Sequence, residues 1–138
     1  MTPRNTGTGS VLEQMVLPAL LRGGYVTRTQ VLVGVRPGGG QHKIDAFAEK
    51  SGERFLISMK WQQTSGTAEQ KVPFEVMCLA DAVREALADR AYLVLGGTGW
   101  KLRTYYMSGS LKEHLVHAHL VRVVSLEEFV ALANSGKL

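Results

Sequence analysis

Polar side chains interrupt the apolar stretch FLISMKWQ, which otherwise reads as a buried β-strand. They are Ser58, Lys60 and Gln62, and because side chains along a strand alternate between its faces, all three lie on one face. A second interruption occurs upstream, where Asp45 stands in another apolar run. Buried polar and charged groups are costly unless they are paired or serve a function. These four residues are therefore the first candidates for chemistry.

The turn KSGE at residues 50–53 predicts a tight hairpin that joins the two interrupted strands. Antiparallel pairing from this turn brings Asp45 close to Ser58 and Lys60. A structural ion pair would explain this arrangement. The other explanation is a site for a hard metal ion, because Mg²⁺ prefers carboxylates, waters and phosphate oxygens as ligands. In such a site, Lys60 would position the attacking water and offset charge on a phosphoryl transition state.

A metal site needs a second acid, and Glu75 is the first candidate because helical spacing places it beside a predicted core face. It could then point across the sheet toward Asp45, although helix-start glutamates are also favoured by the helix dipole alone. Glu69 is a rival ligand that we expect to be nearer the loop and more exposed. Glu13 is a third candidate, but it also forms a predicted capping box with Ser10. The predicted core face consists of Val72, Val76, Leu79, Val83 and Leu87.

The element order is predicted as α-β-β-β-α-β followed by α-β-α, with a mixed sheet covered on both faces. Pro18 should kink the first helix or mark a local rearrangement, and the first strand should be irregular near Thr29. A second capping box is expected at Ser125 and Glu128. The predicted helices cover about residues 10–21, 67–89 or 72–89, 102–107, 111–116 and 125–133; the predicted strands cover residues 25–35, 43–49, 54–62, 91–97 and 120–124.

This element order over residues 10–95, with Asp45 followed by Ser58-Met59-Lys60, resembles the PD-(D/E)XK nuclease superfamily. Ile44 replaces the proline of the motif, and Ser58 replaces the acid two residues before the lysine. A subset of restriction endonucleases in the superfamily has serine there and takes its acid from the following helix, where this chain has Glu75. The resemblance implies a restriction-endonuclease-like α/β fold with an αβββαβ core and C-terminal α-β-α additions.

The resemblance also implies an activity, namely metal-dependent cleavage of DNA with Mg²⁺ or Mn²⁺, by a restriction-enzyme-like or junction-resolvase-like homodimer. It implies that the metal is bound by Asp45, Glu75 and the Met59 carbonyl. Glu13 would approach the metal, as a first-helix glutamate does in several branches that include archaeal junction resolvases. Gln62 resembles a glutamine that follows the lysine in many members and would orient water or phosphate; as a strand-end residue it could equally be a hydrogen-bonding group.

DNA contacts are expected beside the glycine turn RPGGGQH, because glycines let a backbone approach phosphates and basic groups offset their charge. Residues of these types are more often simply solvated loop residues, but their placement beside the proposed metal site favours the DNA contact. The candidates are Arg36, Gln41, His42, Lys43 and, at the start of the long helix, Lys71.

Composition sets the wider limits: 138 residues with 45% hydrophobic side chains and a net charge of +4 suit one globular domain, with residues 1–9 as a flexible arm. The charge favours polyanions only weakly. The sequence contains no apolar run of the length of about 20 residues that spans a bilayer, so we expect a cytoplasmic protein. Two other functions stay open: a nuclease fold that binds DNA or assembles without catalysis, and a structural domain in which Asp45 and Lys60 form a buried pair.

Overall fold

The structure is a computed structural model that describes residues 8–138. Its first helix, α1, is continuous but contains a π-helical middle, and its segments are Thr8–Val11, Leu12–Val16 and Leu17–Arg22. Residues 1–7 of the expected arm lie outside the described residues, whereas Thr8 and Gly9 belong to the helix. Pro18 lies in the first turn of the third segment, directly after the π segment, so the expected rearrangement is present.

Because α1 begins before Ser10, the predicted capping box between Ser10 and Glu13 is wrong. Ser10 lies inside the helix, and Glu13 is an exposed residue of the π segment. Glu13 therefore has no capping role, which removes the structural explanation that we gave for this acid.

The central sheet is mixed, as predicted, with the strand order β1-β2-β3-β4-β5. The first three strands form antiparallel hairpins, and the β3–β4 and β4–β5 pairs are parallel. The strands are β1 Val26–Val35, β2 Gln41–Lys50, β3 Glu53–Trp61, β4 Arg90–Gly96 and β5 Val121–Ser125.

Helices cover both faces of the sheet, as predicted. One apolar core lies between the sheet and the helices α1 and α4 (Leu126–Asn134), and a second lies between the sheet, α2 (Ala68–Arg84) and the segments that follow β4. None of the helices in residues 8–138 is long and apolar enough to cross a membrane. The remaining helices are α2 Ala68–Arg84, α3 Arg103–Met107 and α4 Leu126–Asn134, with 3-10 turns at Ser110–Glu113 and Ala118–Leu120.

The start of α4 agrees with its predicted boundary, whereas the end of α2 does not. The Ser125 hydroxyl accepts the Glu128 N–H at 3.1 Å, which confirms the capping box of α4. In contrast, α2 ends at Arg84, before the predicted Asp89, because Ala86 adopts a positive φ of 63°. Leu87 therefore lies outside the helix and is 38% exposed, so its assignment to the core face was wrong.

Pro73 lies inside α2, beyond the first turn in which proline is usually tolerated. A proline has no N–H, so the Glu69 carbonyl four residues earlier has no donor within the helix. The buried Tyr106 hydroxyl donates to this carbonyl at 2.7 Å. This contact compensates for the proline and ties α3 to the first turns of α2, the helix that carries Glu75.

Strand β2 changes the faces to which its side chains point, and the change occurs at Asp45. Ala46 belongs to the core beneath α1, whereas Ile44 belongs to the core beneath α2. In a regular strand these two residues would share a face. On the paired strand β1, Gln30 adopts a positive φ of 52°, next to the irregularity predicted at Thr29. This distortion gives Asp45 a position that a regular ladder would not provide.

Candidate metal and nucleic-acid site

Strands β2 and β3 part at Asp45, and this parting creates the candidate site. The last residue pair of their ladder is Ala46 with Ile57. One residue further along, the Asp45 Oδ2 atom accepts the backbone N–H of Met59 at 2.7 Å. The side chain of Asp45 therefore takes the place of a ladder carbonyl, and its carboxylate is held beside the residue that precedes Lys60.

The pKa of Asp45 lies above its usual range because burial disfavours the charged form. The Met59 N–H and the positive charge of Lys60 act in the opposite direction, and the negative charge of Glu75 adds to the increase. A carboxylate held in this way destabilises the fold when it is ionised. Such costs are concentrated at functional sites.

Glu75 lies in α2 and is almost completely buried, with 2% of its surface exposed. Its Oε1 atom accepts from Arg36 Nη1 at 3.0 Å, and its Oε2 atom lies 3.0 Å from His42 Nε2. Burial raises the pKa of Glu75, but the hydrogen bond to His42 and the charges of Lys60, His42 and Arg36 together lower it below the usual value. Glu75 points inward, in agreement with the helical spacing, and both of its oxygens are engaged.

Lys60 is half-buried near the end of β3, and its charge influences both acids. Its charge lowers the pKa of both Asp45 and Glu75. Within residues 8–138, however, no ion pair of 4.0 Å or less joins Lys60 to either acid. The close Asp45–Lys60 pair that would support a purely structural interpretation is therefore not formed.

An open groove of about 540 Å³ lies between Asp45 and helix α1. Its wall includes Glu13 of α1 together with Thr29 and Gln30 of β1. The groove brings the exposed acid Glu13, the half-buried acid Asp45 and hydrogen-bonding side chains to one concave surface. Asp45 is thus accessible from the α1 side, while Glu75 lies beneath α2.

Two further polar residues of β3 and its end, Ser58 and Gln62, are buried. Ser58 is buried beside Lys60 on β3. Gln62 is also buried: its Nε2 donates to the Gly99 carbonyl at 2.8 Å, and its Oε1 accepts the Ala68 N–H at 3.0 Å. This amide connects the loop after β4 to the first residue of α2, so the structure differs from the expectation that it orients water or phosphate.

Glu69 is not the exposed rival ligand that the sequence suggested. It is 9% exposed, and its carboxylate accepts the backbone N–H groups of Lys101 and, at 2.7 Å, Leu102. A carboxylate that satisfies two backbone donors in the loop before α3 has a structural role.

The candidate DNA contacts divide into two groups. Gln41, Lys43 and Lys71 are exposed, as a phosphate-binding role requires. His42 is only 2% exposed, so its assignment as a DNA contact was wrong, and the Arg36 guanidinium is committed to Glu75. The sequence did not predict that Glu75 pairs with Arg36 and His42. The burial of His42 did have a signal, because His42 and Ile44 are two residues apart, as side chains on one buried strand face are.

The glycine turn between β1 and β2 is closed by the Arg36 N–H, which donates to the Gly40 carbonyl at 2.6 Å. Gly38 and Gly39 have φ values of 98° and 100°, which side-chain-bearing residues rarely adopt. The turn therefore requires glycine at these two positions and holds Arg36 at the start of the hairpin.

Substituting Asp45 with asparagine should stabilise the metal-free protein at pH 7 by about 0.5–2 kcal/mol, the usual gain from relieving a functional-site cost. Asparagine keeps the acceptor for the Met59 N–H but removes a buried charge. Because the folded-state pKa of Asp45 is raised, the destabilisation grows as pH rises from 3.8 through the folded pKa. Urea unfolding in chelator at several pH values should show a difference that shrinks in acid. The exposed Glu49→Gln on the same strand is the control, and a less stable Asp45→Asn at pH 7 would contradict this interpretation.

Comparison with known proteins supports the same architecture. An XisH family protein from Nostoc punctiforme is 21% identical with a TM-score of 0.54, covering 86% of this chain and 94% of that chain. An fdxN element excision controlling factor protein from Anabaena variabilis is 23% identical with a TM-score of 0.52, covering 87% and 94%. At such identities the likeness shows the fold alone.

A third solved structure, a protein of unknown function, is 18% identical with a TM-score of 0.48; the match covers 80% of this chain and about half, 54%, of that chain. No curated protein matches the sequence. The family model described as the PD-(D/E)XK nuclease superfamily domain matches residues 4–137. This match covers nearly the whole chain, and the chain therefore belongs to the PD-(D/E)XK nuclease superfamily.

Proposed function

We propose that this protein is a metal-dependent deoxyribonuclease that hydrolyses phosphodiester bonds in DNA. The proposal is supported by the chain's membership of a nuclease superfamily and by its candidate site. One observation carries it: Lys60 is close enough to act electrostatically on both Asp45 and Glu75, at the point where β2 and β3 part. A lysine that interacts with two neighbouring acids can offset the charge that develops during phosphoryl transfer.

The residues fit a divalent metal in their chemistry. Asp45 and Glu75 offer carboxylate oxygens, which Mg²⁺ and Mn²⁺ prefer, and Asp45 keeps acceptor capacity beyond its bond to Met59. By resemblance, the Met59 carbonyl would add a further oxygen, and Glu13 lines the groove on the other side of Asp45. When bound, such an ion would act as a Lewis acid toward the phosphate and lower the pKa of a bound water.

The protein's own groups then have separate tasks. The Lys60 ammonium donates hydrogen bonds, orients the attacking water and offsets charge that develops on the phosphate. Ser58 supports this polar face of β3 as a neighbouring hydroxyl. Gln62 acts indirectly: it holds the first residue of α2 and so helps to fix the position of Glu75 relative to the sheet.

DNA is the proposed substrate, contacted by Gln41, Lys43 and Lys71 around the site. The net charge of +4 favours such a polyanion. We further propose a cytoplasmic homodimer, in which two sites act on two strands. We expect recognition of DNA structure or low sequence specificity. One structural neighbour is named as an fdxN element excision controlling factor, which is compatible with a substrate of this kind.

Purified protein with Mn²⁺ should therefore cleave at least one substrate among linear, nicked and four-way DNA, because the site combines metal-binding acids with a lysine. Cleavage should stop in EDTA and return when Mn²⁺ is added in excess. Gel electrophoresis of labelled strands measures both results. Persistence of cleavage in EDTA would remove the metal from the proposal, and intact substrates in Mn²⁺ would remove the activity.

A second candidate function is a DNA-binding or assembly protein that keeps the fold without catalysis. It is favoured by Glu75, both of whose oxygens are engaged by Arg36 and His42. In addition, no three acidic, histidine or cysteine side chains of residues 8–138 are grouped so that they could hold one ion. Retarded migration of DNA in a gel, combined with intact DNA in Mn²⁺, would identify this function instead.

A further inference from the structure

Helix α2 exposes apolar side chains on the surface that faces away from the sheet. Phe74 is 41% exposed and Met77 is 37% exposed, and Val116, in the segment between the two 3-10 turns, is 84% exposed. Between α2 and this segment lies a groove of about 290 Å³, which we call the α2 groove. It is lined by Val76, Met77, Ala80 and Asp81 of α2 and by residues 114–118. Exposed apolar surface of this kind is typical of a protein interface.

The exposed residues form a continuous ridge along α2. Phe74, Met77, Asp81 and Arg84 recur at spacings of three and four residues, which keeps them on one side of a helix. Phe74 lies one turn before the groove, on the same ridge. The ridge therefore presents an aromatic side chain, and the groove beside it is lined by the small residue Ala80.

The charge of this surface is mixed. Asp81 and Arg84 are paired on the ridge at 3.7 Å, and the groove adds only two histidines, His114 and His117. A surface with balanced charge does not attract a polyanion, so DNA is not the natural occupant. It suits a protein surface with the same balance.

Strand β1 is another exposed apolar surface, with Val26 at 72% and Val35 at 69% exposure. Its backbone is poorly suited to pairing with another strand. Gln30 and Gly34 have positive φ values, of 52° and 116°, and the ladder with β2 shifts register before Val35. Irregularities of this kind protect sheet edges from association.

We propose that the α2 groove is the contact between two copies of this chain, with α2 packed antiparallel to the partner's α2 about a two-fold axis near Met77. Such an axis places each Phe74 against the partner's Ala80, in the groove, and Met77 against the partner's Met77. It places Arg84 opposite the partner's Gln70 and Asp81 opposite the partner's Pro73. Like charges do not meet at these positions, and aromatic and methionine side chains occupy the centre, as in stable interfaces.

The interface would lie directly beside the candidate site. Phe74 precedes Glu75 in the chain, and the Arg36 guanidinium lies 5.8 Å from the Phe74 ring centroid while it also binds Glu75. The inference rests on the homodimer of the proposed function but not on DNA cleavage. A failure of the interface and a failure of the nuclease activity are therefore measured separately.

Light scattering coupled to size exclusion tests the contact with the 138-residue chain. The wild type should have twice the mass of the 15.1 kDa chain, and Met77→Arg should reduce it to that of one chain, because two arginines would meet at the axis. The control Val26→Arg changes a more exposed apolar residue on β1 and should leave the dimer intact. A monomeric wild type, or dissociation by Val26→Arg with a dimeric Met77→Arg, would overturn the proposal. Circular dichroism of each variant verifies that it is folded.

Cross-linking provides a test that does not depend on weakening the dimer. Met77→Cys places one thiol next to its own copy at the axis, so mild oxidation should yield a disulfide-linked dimer on non-reducing gels. Val26→Cys is the matched control and should stay monomeric on the gel. The native Cys78 is 3% exposed, so it contributes little background. Equal cross-linking of the two variants would contradict an axis at Met77.

Discussion

Replacing Lys60 with alanine should reduce Mn²⁺-dependent DNA cleavage by about 10²–10⁴-fold, the range typical when a positioned acid–base group is lost. The expectation follows from the location of Lys60, whose charge reaches both Asp45 and Glu75 without being paired to either at 4.0 Å within residues 8–138. An ammonium with this freedom is able to contact water and phosphate. Cleavage rates under single-turnover conditions measure the loss without a contribution from product release.

The fold should survive this change, because Lys60 is half-buried at the end of β3 and is not part of either apolar core. The thermal midpoint and DNA affinity should therefore stay close to those of the wild type. Lys112→Ala, which removes an exposed lysine from a distant 3-10 turn, should cleave normally. Equal activity of Lys60→Ala and Lys112→Ala would remove the catalytic role of Lys60.

Replacing Glu75 with alanine should lower the free energy of unfolding by about 3–5 kcal/mol, because it leaves the buried His42 imidazole and the partly buried Arg36 guanidinium without their shared partner. Arg36 and His42 each lie 3.0 Å from a Glu75 oxygen. Because the pKa of Glu75 is lowered in the folded state, its ionised form stabilises the protein at neutral pH. That contribution is lost as pH falls from 4.5 through the folded pKa. Urea unfolding of both proteins at pH 7 measures the difference.

Glu75→Gln separates this structural role from metal binding. The amide keeps the size of the side chain and an acceptor for Arg36, so it should cost less stability than alanine. It has lost the carboxylate that a divalent ion needs, so Mn²⁺-dependent cleavage should fall to the level of the Lys60→Ala protein. Full activity of Glu75→Gln would exclude Glu75 as the second acid, and Glu13 would then be tested in the same way.

The sequence predicted the features that local rules determine. The two interrupted strands, the tight turn between them and the mixed sheet follow from side-chain alternation and element order, and all are confirmed. The inward direction of Glu75 followed from helical spacing. The cap at Ser125 followed from a four-residue pattern.

The sequence could not predict interactions that depend on distant parts of the chain. Glu75 lies 39 residues from Arg36 and 33 from His42, and neither pairing has a local signature. The same holds for Glu69, whose carboxylate accepts donors more than 30 residues away. The start of α1 was misplaced because a serine and a glutamate at this spacing allow a capping box but also occur inside a helix, as Ser10 and Glu13 do here.

The glycine hairpin after β1 provides a place to attach a reporter group. Gly40, unlike Gly38 and Gly39, does not have a positive φ, and a side chain at this position would meet no atom within 4 Å. A cysteine introduced there could carry a fluorophore or a spin label without disturbing the turn. The label would lie four residues from Arg36, so its emission or mobility would report a change in the Arg36–Glu75 contact.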